Sequence, residues 1–262
     1  MSAPLVVKFG GTSLGTPARI RRAAERIAAL HRQGRAVVVV VSARGQTTDR
    51  ILKDLERLGA ENAAAARRET DRVLATGEDL SAGLLAATLN TLGVPARSLR
   101  GGEAGVLADG EFGLGRIREV DPDRLTRLLS SGIVPVVSGF QGERADHETV
   151  TLGRGGSDTS AVAIAAALGS AACDIVTDVD AVYDRDPRRD PEARPFAELT
   201  HEELLDLTIS GAQVVHPEAA RLAQRHAVPL RVYAYSAPVA GPRRSTRIIP
   251  GRQSGEPRRK AS

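Results

Sequence analysis

The chain has 262 residues, 42% of them hydrophobic and 26% charged, enough to bury the core of one large or two closely packed domains. A single cysteine, Cys173, excludes an internal disulfide framework. No apolar run approaches the ~18 residues of a membrane span, and the Met-Ser-Ala-Pro start lacks a signal peptide's order, so no membrane partner and a cytoplasmic location are expected. The net charge of +4 belongs to the end of the chain: residues 242–262 hold seven basic residues and one acid, leaving 29 basic and 31 acidic residues before them, a net −2. With no Trp, three Tyr and four Phe, the stacking residues of a nucleic-acid binder are lacking, and no nucleic-acid partner is expected.

In chain order, an apolar strand ending at Lys8 is followed by a helix over 17–32, with Pro17 in its first turn, which closes at Gly34 before the β-branched run 36–41. The same helix, glycine, strand sequence returns three times. Helix 78–92 ends at Gly93 before strand 95–99, helix 122–131 at Gly132 before strand 133–137, and helix 158–168 at Gly169 before strand 173–177. A last section adds helix 201–208, announced by the capping box Thr200-His-Glu-Glu203, helix 214–225 and strand 230–235. Unbroken Val/Ile strands imply burial on both faces, so the alternation predicts an α/β fold, a three-layer αβα sandwich around a mostly parallel sheet. Residues 184–196 read as a charged, proline-studded loop, and 250–262 as a basic, disordered tail behind a single domain over 1–249.

Ligands of a parallel sheet bind where strands end, and three such places carry chemistry. The first is Lys8-Phe-Gly-Gly-Thr-Ser13. Lysine is scarce in this chain, three against 33 arginines, and here an ammonium stands beside two glycines and two hydroxyls, the donor set of a phosphate site. The second is Thr151-Leu-Gly-Arg-Gly-Gly-Ser-Asp158, a glycine-rich loop opening a helix whose N-terminal dipole suits an anion. The third is Thr177-Asp-Val-Asp-Ala-Val-Tyr183. Neither G-x-x-x-x-G-K-[ST] nor G-x-G-x-x-G occurs. Two phosphate-like loops about 140 residues apart suggest phosphoryl transfer between two bound molecules. From the residues alone the bland readings stay open: a lysine snorkelling from a sheet edge, turn or cap roles for Asp178 and Asp180, and Glu78 as a first-turn helix acid. Cys173 reads as a buried small hydrophobe. His31, His147, His201, His216 and His226 show no metal spacing and read as surface or core residues.

Taken together, Lys8–Ser13, Val41-Ser-Ala-Arg-Gly-Gln-Thr-Thr-Asp49, Thr76-Gly-Glu78, Thr151–Asp158, Thr177-Asp-Val-Asp180 and Gly211-Ala-Gln-Val-Val-His-Pro217 resemble, in order, the motifs of the aspartate kinases. The resemblance runs over about residues 4 to 249. It implies the amino-acid kinase fold, with the N-terminal part binding the acceptor and the C-terminal part the nucleotide. The implied reaction is phosphorylation of L-aspartate by ATP to 4-phosphoaspartate, the entry to the lysine, threonine and methionine type of amino acids. Carried over by the resemblance, Lys8 would contact the transferring phosphoryl group, Gly10 and Gly11 would line its path, and Asp158 would orient Lys8. Ser13, Thr48, Glu78 and Arg154, with Gly155, Gly156 and Ser157, would form the acceptor set. Glu78 would suit the α-ammonium and Arg154 the α-carboxylate. Thr177, Asp178, Tyr183, Arg188, Gln213 and Val214 would meet ATP, with Mg²⁺ held mainly by the phosphates.

Two departures stand out. The family's usual lysine in the Gly-Ala-Lys-Val stretch is Gln213 here, leaving Arg185 or Arg188 as candidate replacements. The sequence also stops after Ser245–Ile249, where most aspartate kinases continue into paired ACT regulatory domains, so a catalytic domain alone is expected, with a homodimer or a separate regulatory chain left open. A kinase of the same fold acting on another amino acid, and a non-catalytic ligand-binding homologue, remain as alternatives.

Overall fold

Five consecutive valines, Val37–Val41, form a strand with no exposed face, and the molecule is organised around it. The computed structural model describes residues 3–60, 63–210 and 214–251. In chain order these form β1 (Leu5–Phe9), α1 (Pro17–Arg32), β2 (Val37–Val41), α2 (Thr47–Arg57), α3 (Arg67–Thr91), β3 (Ala96–Leu99), β4 (Val106–Asp109) and β5 (Arg116–Val120). They continue with α4 (Asp123–Ser130), β6 (Val134–Ser138), β7 (Gln141–Glu143), β8 (Thr149–Thr151), α5 (Gly156–Ala167), β9 (Ala172–Thr177) and β10 (Glu198–Thr200). Last come α6 (His201–Ile209), α7 (Pro217–Arg225), β11 (Leu230–Ala234) and β12 (Thr246–Ile249).

The main sheet has eight strands in the order β10-β12-β11-β9-β1-β2-β6-β3. All its pairings are parallel except β11 with β12. Alternation along each strand separates two cores. Leu5, Val7, Phe9, Val37, Val39 and Val41 pack under α1 and α3, while Val6, Val38, Val40, Cys173 and Ile175 face α4, α5, α6 and α7. This is the expected α/β sandwich. Burial pushes the Cys173 thiol well above its ordinary value, as suits a core residue.

The helix starts at Pro17 and at the box Thr200–Glu203, and the helix ends at the C′ glycines Gly34, Gly93, Gly132 and Gly169, all with positive φ, follow from the capping chemistry read in the sequence. Several features differ from that reading, the unexpected helix α2 among them. α3 begins at Arg67, eleven residues before the expected start, so Glu78 lies in mid-helix and is not a first-turn acid. α7 begins at Pro217, after the cap His216. A second, four-stranded sheet, β5-β4-β7-β8, stands beside the main one and delivers the chain into the glycine-rich loop before α5. The described chain ends at Gly251, so the expected tail from 252 onward, like Gln213, lies outside the described residues.

Candidate active site

β1 lies between β2 and β9, and alternation turns Lys8 to the same side as Val6, toward α5. α5 carries Asp158 in its first turn, and Lys8 Nζ lies 2.6 Å from Asp158 Oδ1 with the two side chains 11% and 13% exposed. The other carboxylate oxygen accepts the His216 backbone N–H at 3.3 Å. Gly155 makes this approach feasible: its φ is +76°, and a Cβ there would fall 2.0 Å from the His216 ring. Ser157 is buried beside Gly139, and Gly156 packs against Leu152 and Phe140.

The loop after β1 is tied to its neighbours on both sides. The Val176 carbonyl accepts the Gly10 N–H at 3.0 Å and the Ser13 hydroxyl at 3.1 Å, so Ser13 is buried and its proton is committed to β9. Gly11 carries the close contact with the loop after β2: a Cβ there would lie 2.6 Å from the Ala43 carbonyl.

Glu78 projects from α3 into this junction and is 3% exposed. Its Oε1 accepts the Ala43 N–H at 2.8 Å, while Oε2 is buried with no partner among the described residues. Burial raises the carboxyl to about 7, the Ala43 bond opposes the rise, and the charges of Asp79 and Lys8 push up and down respectively. The unpartnered oxygen is free to accept a hydrogen bond from a ligand's donor. Asp79, the next residue, accepts from Ser138 Oγ at 2.8 Å and Gln141 Nε2 at 3.1 Å, fixing α3 to the end of β6. Thr48 is half-buried in the first turn of α2. Arg154, on the glycine-rich loop, is exposed and has no carboxylate partner among the described residues; it opens on a groove of about 990 Å³ between β5, α5 and α7.

At the end of β9 the charges are paired in solvent. Thr177 Oγ1 donates to Asp178 at 3.2 Å, and Asp178 holds Arg188. Asp180 accepts from the Tyr183 hydroxyl at 2.7 Å and from Arg244 at 3.2 Å. The phenol is pushed up, by burial first and by the bond to Asp180 second. Arg185 is engaged by Asp190, so both arginines considered as stand-ins for the lysine replaced by Gln213 are held by acids. Val214 is half-buried against the core beneath α5 and α7.

Lys8 and Asp158 are thus joined directly, Gly11 and Glu78 meet at Ala43, and Gly10 and Thr177 meet at Val176. The sequence reads His216 only as a surface or core histidine, whereas His216 serves the site through its amide. Sequence reasoning passed over Asp79, whose one available signal was adjacency to Glu78.

The model of the amino acid kinase family matches residues 3–234. The chain is 43% identical over 230 residues to an aspartokinase of Thermus thermophilus, covering 88% of this chain and 56% of that one. It is 46% identical over 231 residues to an aspartokinase of Mycobacterium tuberculosis, covering 88% and 54%. Among solved structures it resembles an aspartate kinase from Synechocystis with a TM-score of 0.81 and 41% identity, covering 97% of this chain and 41% of that one. Escherichia coli aspartokinase III in complex with aspartate and ADP gives a TM-score of 0.80 at 27% identity, covering 96% and 65%. The chain spans about half the length of the curated relatives it matches.

Proposed function

Because this chain belongs to the amino acid kinase family, we propose that it transfers the γ-phosphoryl group of ATP to the side-chain carboxylate of L-aspartate, giving ADP and 4-phospho-L-aspartate. The observation that carries this reading is the pairing of functions around Lys8: a buried ammonium at a strand end, and beside it the empty, buried Oε2 of Glu78. The first suits a phosphoryl group and the second an α-ammonium. The aspartokinases among its relatives support the choice of aspartate.

In the reaction, an oxygen of the acceptor carboxylate forms a bond to the γ-phosphorus while the bond from that phosphorus to the bridging oxygen of ADP breaks, and ADP leaves with the electron pair. The attacking oxygen is already ionised, so no base is required. Catalysis is then positioning and charge. Lys8 meets the charge on the transferring group and Asp158, held by the His216 amide, fixes the direction of the ammonium. Glu78 holds the amino group, and Arg154 offers the planar fork that suits an α-carboxylate. Thr177, Asp178, Tyr183, Arg188, Gln213 and Val214 are assigned to ATP. The donor set near Lys8 is one carboxylate already paired with an ammonium, so Mg²⁺ is assigned to the phosphate oxygens, where it would neutralise charge. The reading places the enzyme in the cytoplasm, at the entry to lysine-type amino acids, with a homodimer or a separate regulatory chain as its protein partners.

ADP release with ATP and Mg²⁺ over a panel of amino acids tests this. Aspartate-dependent release, with an acyl phosphate trapped by hydroxylamine, is the expected result. Turnover of a different acid alone overturns the acceptor, and absence of any turnover overturns the kinase reading.

A further inference from the structure

The carboxylate most completely enclosed in polar contacts near the site has no part in the mechanism above. Asp71 lies on α3 seven residues before Glu78, two turns away on the same face, and is 1% exposed. Its Oδ2 accepts the backbone N–H of Thr151 at 2.8 Å and of Gly113 at 2.9 Å, and its Oδ1 accepts the Thr151 hydroxyl at 2.9 Å. Thr151 is the last residue of β8 and stands three residues before Arg154. Its carbonyl accepts the Gly115 N–H at 2.9 Å, so the turn between β4 and β5 is held to the same point. A single side chain thereby fastens the base of the loop that carries Arg154 to the helix that carries Glu78.

We propose that Asp71 is a positioning residue for the acceptor: it sets the span between Glu78 and Arg154, and through that span the length of amino acid whose side-chain carboxylate reaches the phosphoryl group. The inference rests on the assignment of Glu78 and Arg154 to the acceptor's ammonium and α-carboxylate. No hydrogen bond of Asp71 goes to the segment after β9, so its effect falls on the acceptor and leaves the nucleotide alone. Asparagine can keep all three contacts, its carbonyl oxygen accepting both amides and its NH₂ donating to the Thr151 hydroxyl; alanine keeps none and strands the buried Thr151 amide.

The test measures ADP release by the full chain with ATP and Mg²⁺, varying aspartate, glutamate and ATP, for wild type, Asp71→Asn, Asp71→Ala and Thr151→Val, with a melting temperature for each. Asp71→Ala is expected to raise the KM for aspartate about tenfold or more, to leave the KM for ATP within about twofold, and to lower the preference for aspartate over glutamate. Asp71→Asn is expected to restore the aspartate KM to within about threefold of wild type. If Asp71→Ala shifts both KM values alike, or leaves the aspartate KM unchanged, the positioning role is wrong. Should the alanine variant fail to fold, Thr151→Val decides, since it removes only the hydroxyl contact. A rise of about threefold in the aspartate KM alone supports the role, and no rise overturns it. A wild-type chain that does not use aspartate removes the acceptor reading and this inference with it, whereas an active wild type with symmetric variants removes only the inference.

Discussion

The half of the site proposed for the acceptor and the half proposed for the nucleotide hold their charges in opposite ways. Around the acceptor, Asp71, Glu78 and Asp79 sit on one rigid helix, and the first two are buried and accept backbone amides. Around the position assigned to the nucleotide, Asp178–Arg188 is an exposed side-chain pair within the loop after β9, and Asp180–Arg244 joins that loop to the one between β11 and β12. Buried carboxylates bound to amides keep their positions without a ligand, whereas exposed pairs are individually weak and give way to a competing anion. On the proposed reading, one half is therefore preorganised for a small zwitterion, and the other would exchange one set of ionic partners for phosphate.

The largest expected effect is at the junction of the halves. Lys8→Met should lower kcat by about a hundredfold or more, because it removes one preorganised charge from the transferring group, and should lower the melting temperature as well, because Asp158 loses its partner. Turnover near the wild-type rate would break the assignment of both halves at once. Next comes Arg154→Lys, which keeps the charge and loses the fork. It should raise the aspartate KM by about tenfold or more while the ATP KM stays put. An effect on ATP instead would place Arg154 in the other half.

Glu78 gives a pH test. With the carboxyl at about 7 when folded against an ordinary 4.5, the folded state binds the extra proton between those values. Its contribution to stability is thus greatest in acid and declines by about 2–3 kcal/mol as pH rises from 4.5 through 7. Glu78→Gln should remove that slope, read as the difference between the two proteins' unfolding curves across the window. The same titration acts on binding. An ammonium needs the ionised form, so the aspartate KM should rise about tenfold from pH 8 to pH 6. A flat aspartate KM over that range would mean that Glu78 does not hold the amino group. The smallest effect is expected from Arg188→Ala: a change of about threefold or less in the ATP KM, shrinking at high salt, as for an exposed pair. A hundredfold loss there would show that the nucleotide half is as rigidly built as the acceptor half.

The same contrast explains what the sequence could disclose. The parallel sheet was legible because Val37–Val41 and its neighbours are buried on both faces, and α1 because Pro17 and Gly34 mark its ends. The first eleven residues of α3 were not, since Arg67–Gly77 carries little apolar periodicity and is held by hydrogen bonds such as those of Asp71. α2 buries only Leu55, and the small sheet is written in segments such as Gln141–Glu143, too short and too polar to read as strands. Within the site, Gly11 and Gly155 announce themselves because the backbone there tolerates no Cβ. His216 does not, because its service is a backbone N–H that nearly any residue would supply.

The valine strand has one more consequence. Five identical side chains say nothing about which of them should face Phe9, and a slip of two residues would keep every valine on its own side of the sheet. Alignment must come from outside the run. At one end the Leu5 amide bonds to the Ala36 carbonyl. At the other, Ser42 bonds to Phe9, Gly139 to Val41, Gly45 to Gly11 and the Ala43 amide to Glu78. The loops assigned to the substrates therefore also supply the reading frame of the central strand, so that a chain misaligned by one pleat repeat could not assemble the pocket proposed for the acceptor.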